Sequence, residues 1–208
     1  MKTIIYLIRH SEPIKDYLTY DVFDDTKIIQ KDKMLVLSVN GEKIAKKHSK
    51  LNIFKKIDKI YSSEYARCVS TAKYLADNNN LKIHIDTRLG ERIHGINDNP
   101  NDKTLIEMQI KDANYKLTNG ESRNEVYDRF DTCINEIIKK NKGKKICIYT
   151  HCVAITYYLM KYCDIKFLKY FKYNNETVFN AKWNYLDTFK LTFDEFDLID
   201  LEYIKKEI

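Results

Sequence analysis

Glycine and proline are scarce in this chain, at five and two of 208 residues. That scarcity excludes collagenous, linker-rich and low-complexity organisation and gives each glycine present some positional weight. Cysteine is neither abundant nor patterned. Cys68, Cys133, Cys147, Cys152 and Cys163 are odd in number and lack CxxC spacing, which argues against a disulfide framework or a zinc site and fits reduced thiols. Long apolar runs are also missing. The opening MKTIIYLIRHS is too short in its apolar part for a signal peptide, and no later stretch reaches membrane-spanning length, so a cytoplasmic protein without membrane contact is expected. No basic block stands out either. The 36 Lys+Arg against 30 Asp+Glu leave +6, with pairs such as Lys46-Lys47, Lys55-Lys56 and Lys144-Lys145 scattered, which argues against nucleic acid as a partner.

The 44% hydrophobic and 32% charged residues are those of a globular protein, and no composition break divides them, so one domain over residues 1–208 is expected. Its organising stretch is Ile5-Tyr6-Leu7-Ile8-Arg9-His10-Ser11, an apolar run that ends in a cation and an imidazole. Such a run reads as a buried strand whose C-terminal end opens into a crevice. Residues 12–33 show no periodicity and read as a loop insertion. Ser38 caps a helix running to about Leu51, Lys59–Tyr61 is a strand ending at Ser62-Ser63, and apolar residues from Ala66 to Ala76 share a helical face. Leu81–Ile85 alternates as a third strand. A second insertion spans about 95–119, with a helix near Lys103–Lys111, and a long amphipathic helix follows Gly120-Glu121-Ser122. Lys145–Thr150 is a buried strand with His151 at its end, Val153–Tyr162 an apolar helix, and the region from Thr177 holds one or two strands and a final amphipathic segment.

Strands and helices therefore alternate, which predicts an α/β fold: a mostly parallel central sheet with helices on both faces. In that architecture the residues following the strands, Arg9, His10, Ser62, Ser63, Glu91 and His151, converge on one crevice although they are distant in sequence.

Those residues carry a resemblance. Leu7-Ile8-Arg9-His10-Ser11 is similar to the Leu-x-Arg-His-Gly motif of the histidine phosphatase superfamily, the phosphoglycerate-mutase-like enzymes, with Ser11 in the glycine position. Leu37-Ser38-x-x-Gly41-x-x-x-Ala45 resembles its first-helix signature, and Ser62-Ser63-x-x-x-Arg67-x-x-x-Thr71-Ala72 its Ser-Ser-x-x-x-Arg-x-x-x-Thr-Ala segment. Leu89-Gly90-Glu91-Arg92-Ile93-His94-Gly95 resembles the segment carrying the family's acid, Gly120-Glu121-Ser122 its Gly-Glu-Ser helix start, and Thr150-His151-Cys152 its second-histidine motif. The order holds from residue 5 to about 160.

The resemblance implies a three-layer sandwich and a metal-independent phosphatase that acts on a small phosphorylated substrate without a cofactor. In it, His10 attacks phosphorus and becomes phosphohistidine, Arg9 and Arg67 grip the phosphoryl oxygens, and Glu91 serves as acid and then base. His151, as imidazolium, stabilises the equatorial oxygens, and Ser11, Ser63, Arg92 and Cys152 contact the substrate. Nearby cations would keep the His10 imidazole unprotonated. Glu12, Glu107 and Glu121 are alternatives for the acid; His94 is not expected to be catalytic. Tyr17, Tyr20, Phe23, Lys27, Lys103, Lys111 and Tyr115 are candidates for the mouth of the site. A phosphoglycerate mutase is the nearest rival, encouraged by Glu91-Arg92-x-x-Gly95 but lacking an adjacent arginine pair in residues 96–120. A phospho-ligand-binding module without turnover is the other, motivated by Ser11 and Cys152 in place of glycine.

Overall fold

The computed structural model describes residues 1–14, 32–96 and 102–205. The mouth candidates Tyr17, Tyr20, Phe23 and Lys27 lie outside these residues. Strand β1 (Lys2–Arg9) is the centre of the molecule. It pairs in parallel with β4 (Lys145–Thr150) on one side and antiparallel with β8 (Thr188–Asp194) on the other. Strands β2 (Lys59–Ser62) and β3 (Ile83–Ile85) extend the parallel part, and β9 (Asp197–Ile204) closes the opposite edge, for the order β3-β2-β4-β1-β8-β9.

The near-continuous apolar character of β1 follows from burial on both faces. Ile5 and Leu7 pack with α4 (Arg123–Lys140) and α5 (Cys152–Leu159), whereas Tyr6 and Ile8 pack with α2 (Ala66–Asn79). Helix α1 (Val39–His48) joins the α2 side, where the His48 ring meets Phe54. Local chemistry sets the helix ends. Ser38 accepts the Gly41 N–H, Ser122 and Glu125 form a capping box at α4, and Asn80 ends α2 in the left-handed conformation at φ 52°. Helix α3 (Asp102–Lys111) falls where the sequence predicts it.

The C-terminal third departs from expectation. Beyond Cys163 lie β5 (Asp164–Lys166), β6 (Tyr170–Tyr173) and β7 (Glu176–Phe179), a separate antiparallel sheet, and the expected final amphipathic segment is instead the hairpin β8–β9. Strands this short carry little periodicity. Their signal is the two-residue turn Asn174-Asn175, both at positive φ, which asparagine tolerates between hairpin strands. Among the described residues no helix is long and apolar enough to cross a membrane.

Candidate active site

Register brings the two histidines together. Because Arg9 lies opposite Thr150 in the parallel β1–β4 pair, the next residues, His10 and His151, leave the sheet side by side. The His10 N–H donates to the Thr150 carbonyl at 3.0 Å, and the two imidazole rings meet edge to face with centroids 5.2 Å apart. The chain after β1 turns to the α1–α2 face and the chain after β4 turns to the α4–α5 face. The pair therefore sits at a topological switch point, where open α/β sheets form crevices.

The His10 ring is buried, and its Nδ1 lies 2.7 Å from the Ser11 carbonyl. A carbonyl only accepts, so Nδ1 carries the proton and Nε2 of the neutral ring is the unprotonated nitrogen. Ser63 follows β2, on the other side of β4, and its hydroxyl reaches His151 Nε2 at 3.0 Å. Arg67, in the first turn of α2, stacks on Tyr65 at 4.5 Å and approaches His151 Nδ1 at 3.4 Å through Nη2. Arg9 lies over the Tyr185 ring at 4.8 Å, and its buried Nε has no acceptor among the described residues. His10, His151, Arg9, Arg67 and Ser63 thus share one crevice end.

Glu91 joins them through α5. Its carboxylate accepts the Ala154 N–H at 3.0 Å, the Val153 N–H at 3.3 Å and its neighbour Arg92 N–H at 3.0 Å, just after His151 in the chain. Those donors favour the carboxylate, yet burial outweighs them and moves the Glu91 carboxyl above its usual range. Its rivals are placed otherwise. Glu107 is exposed on α3, Glu121 is paired with Arg129, and Glu12 accepts from Ser38 and Asn40, bonds that hold its carboxyl low.

Three expected roles shift. His151 is wholly buried, and that burial, with the charges of Arg67, Arg129 and Arg9 adding to it, holds its pKa well below the usual imidazole value. That shift disfavours the expected imidazolium; the ring lies with Nδ1 3.4 Å from Arg67 Nη2 and Nε2 3.0 Å from the Ser63 hydroxyl. Ser11 is also wholly buried; its hydroxyl donates to the Gly41 carbonyl at 2.7 Å and its N–H to Thr71 Oγ1 at 2.9 Å. Gly41 itself is required there, since a Cβ would stand 2.1 Å from the Glu12 carbonyl oxygen. The Arg92 guanidinium reaches Gln109 at 3.2 Å, which also accepts from Tyr157 at 2.6 Å, so it is turned into the α3–α5 packing. Cys152 keeps its place beside Glu91, 3.9 Å from Oε2, with its thiol pushed up to about 11 by burial.

Ser11→Gly removes the side-chain hydrogen bond to the Gly41 carbonyl. A stability loss of roughly 0.5–1.5 kcal/mol is expected in denaturant unfolding. The arrangement of the two histidines should be unaffected, because that hydroxyl faces α1 and not the imidazoles.

Two residues escaped the sequence reading. Tyr185 lies in the β7–β8 connection, beyond the matched motifs. Asp32 presents its carboxylate to Arg67 as a two-pronged pair, with Oδ1 to Nη1 and Oδ2 to Nη2 both at 3.1 Å, while its carbonyl accepts from Nη1 at 2.6 Å. No local pattern marks either one. Among the described residues no group of three or more His, Cys, Asp or Glu is arranged to hold a metal ion.

The family model described as "Histidine phosphatase superfamily (branch 1)" matches residues 5–193. No curated protein matches the sequence significantly. The chain resembles the solved structure of a mycobacterial glucosyl-3-phosphoglycerate phosphatase at 17% identity and TM-score 0.66, covering 98% of this chain and 97% of that one. Bacillus stearothermophilus YhfR is similar at 19% identity and TM-score 0.63, covering 94% of each chain. An Entamoeba histolytica phosphoserine phosphatase variant, solved with phosphoserine, is similar at 17% identity and TM-score 0.63, covering 96% of each.

Proposed function

The chain belongs to the histidine phosphatase superfamily, and on that premise we propose that it hydrolyses phosphomonoesters through a phosphohistidine on His10. The observation that carries this reading is the contact of His10 Nδ1 with the Ser11 carbonyl at 2.7 Å. A proton on Nδ1 directed at the Ser11 carbonyl leaves the Nε2 lone pair of the neutral ring as the nucleophile, beside His151 and in the site that also holds Arg9 and Arg67.

In the first step Nε2 attacks phosphorus, the bond to the ester oxygen breaks, and Glu91 gives that oxygen its proton. In the second, the Glu91 carboxylate takes a proton from water as the oxygen attacks phosphohistidine, releasing inorganic phosphate and restoring His10. The two guanidiniums offset the charge of the phosphoryl oxygens, the role that metal ions play in other phosphoryl-transfer sites. Burial and the surrounding cations disfavour a charged His151, and a phosphate dianion beside it supplies the charge that favours its protonation. The phosphatase names of the similar structures accord with this reading, and the substrate is a small phosphorylated compound. No cofactor is invoked.

The test is phosphate release from a panel of phosphomonoesters and phosphoglycerates, with acid-labile, alkali-stable label sought on the quenched protein. Exchange between phosphoglycerates without release would assign a mutase; binding with neither would assign a module without turnover.

Asp32 occupies the fork that a phosphoryl group would take. A half-exposed pair of this kind is worth about 0.5–1 kcal/mol, so Asp32→Asn should lower KM and the inhibition constant of inorganic phosphate about two- to fivefold, with kcat unchanged. Unchanged values would show that the carboxylate does not compete.

A further inference from the structure

The segment that carries Glu91 lies outside any helix or strand: after the short 3₁₀ turn Thr87–Leu89 it runs as irregular chain to Gly95. With no ladder to hold it, its shape depends on side-chain donors. The Arg88 carbonyl accepts from Arg129 Nη1 at 2.7 Å, the Leu89 carbonyl from Thr150 at 2.6 Å, the Gly90 carbonyl from Arg129 Nη1 at 2.9 Å and the Glu91 carbonyl from Arg129 Nη2 at 3.1 Å. The remaining donors of that guanidinium go to Glu121, with Nε at 2.7 Å from Oε1 and Nη2 at 2.9 Å from Oε2. Every N–H of Arg129 is thereby used, in the fixed fork that only arginine provides.

Glu121 holds the other side of the same segment. Its Oε2 accepts the Ile93 N–H at 2.9 Å, its own N–H donates to the Ile93 carbonyl at 2.9 Å, and its carbonyl accepts from Gln109 at 2.7 Å. Two glycines permit this close approach: Gly95 has φ 88°, and a Cβ on Gly120 would stand 2.6 Å from the His94 carbonyl oxygen. The Gly120-Glu121 pair and Arg129, eight residues further along the chain, thus converge on the backbone around Glu91.

We infer that Arg129 and Glu121 are the positioning pair for the proton donor, setting where the Glu91 carboxyl stands relative to the leaving oxygen. This rests on the acid role proposed above for Glu91. A general acid acts only within hydrogen-bond reach of the atom it protonates, so loosening its backbone costs proton transfer before it costs phosphate binding.

The test uses the full chain, with kcat/KM measured for two esters. 4-Nitrophenyl phosphate has a leaving group that departs without a proton, whereas an alkyl phosphate such as glycerol 2-phosphate needs one. Arg129→Lys keeps the charge and loses the fork, and Glu121→Gln keeps the size and weakens the pair. Each is expected to lower kcat/KM for the alkyl ester about 10- to 100-fold, and for the aryl ester less than about threefold. Equal losses on both esters, or losses on neither, would overturn the inference, because damage to the fold does not distinguish leaving groups. If one variant fails to fold, the ratio of the two esters in the other decides. Absence of phosphate release by the wild-type protein would instead remove the phosphatase reading itself, and the inference with it.

Discussion

His10→Ala is expected to abolish phosphate release, with a loss on the order of 10³–10⁶-fold in kcat, as for removal of the nucleophile in other covalent mechanisms. Nothing nearby replaces it. The Cys152 thiol is held protonated, its pKa pushed up to about 11, and burial raises that of Cys68 further. His151 is committed at both nitrogens, to Arg67 and Ser63. The substitution removes the bond from Nδ1 to the adjacent carbonyl and the ring contacts with His151 and Tyr185, and an unchanged circular dichroism spectrum would show that the fold survives it. The quenched variant should carry no acid-labile label. Undiminished turnover would reject His10 as the nucleophile.

Glu91→Gln should lower kcat/KM for an alkyl phosphate by about 10²–10⁴-fold, the range typical of a lost general acid. The pH profile carries a second expectation. As the acid of the first step, Glu91 must be protonated, and burial moves its pKa up, so the wild-type rate should fall as pH rises through that raised value. The glutamine variant should lose that limb, and a limb that persists would assign it to another group. The sign for stability is the same: a carboxyl raised in the folded state favours folding most below its unfolded pKa, and that contribution is lost as pH rises through the folded one. Above that raised value the ionised Glu91 therefore costs stability, a pH-dependent loss that Glu91→Gln, measured by denaturant unfolding, should not show.

Much of this was legible in the primary structure. The alternation of apolar strands with amphipathic helices predicts the parallel core, because a strand buried on both faces has to be apolar throughout and its covering helices on one face only. Ser38, Ser122 and Asn80 mark helix ends through bonds with their own neighbours, and such local chemistry survives outside the fold. Arg9, His10, Ser63, Arg67, Glu91 and His151 are singled out by motif and by their place after strands. Strands β5 to β7 are not, since three or four residues hold too little of a period to register.

What the sequence determined by itself, then, was the fold class, the family likeness and the set of chemical groups, because strand periodicity, capping and motif order are properties of nearest neighbours along the chain. The tertiary structure alone decided how those groups are used. Parallel register puts His10 beside His151; burial disfavours the charge that His151 was expected to carry; contacts across many residues turn Ser11 toward Gly41, Arg92 toward Gln109 and Asp32 onto Arg67. Desolvation and side-chain pairing depend on what the folded chain places around a group, and no stretch of sequence contains that information.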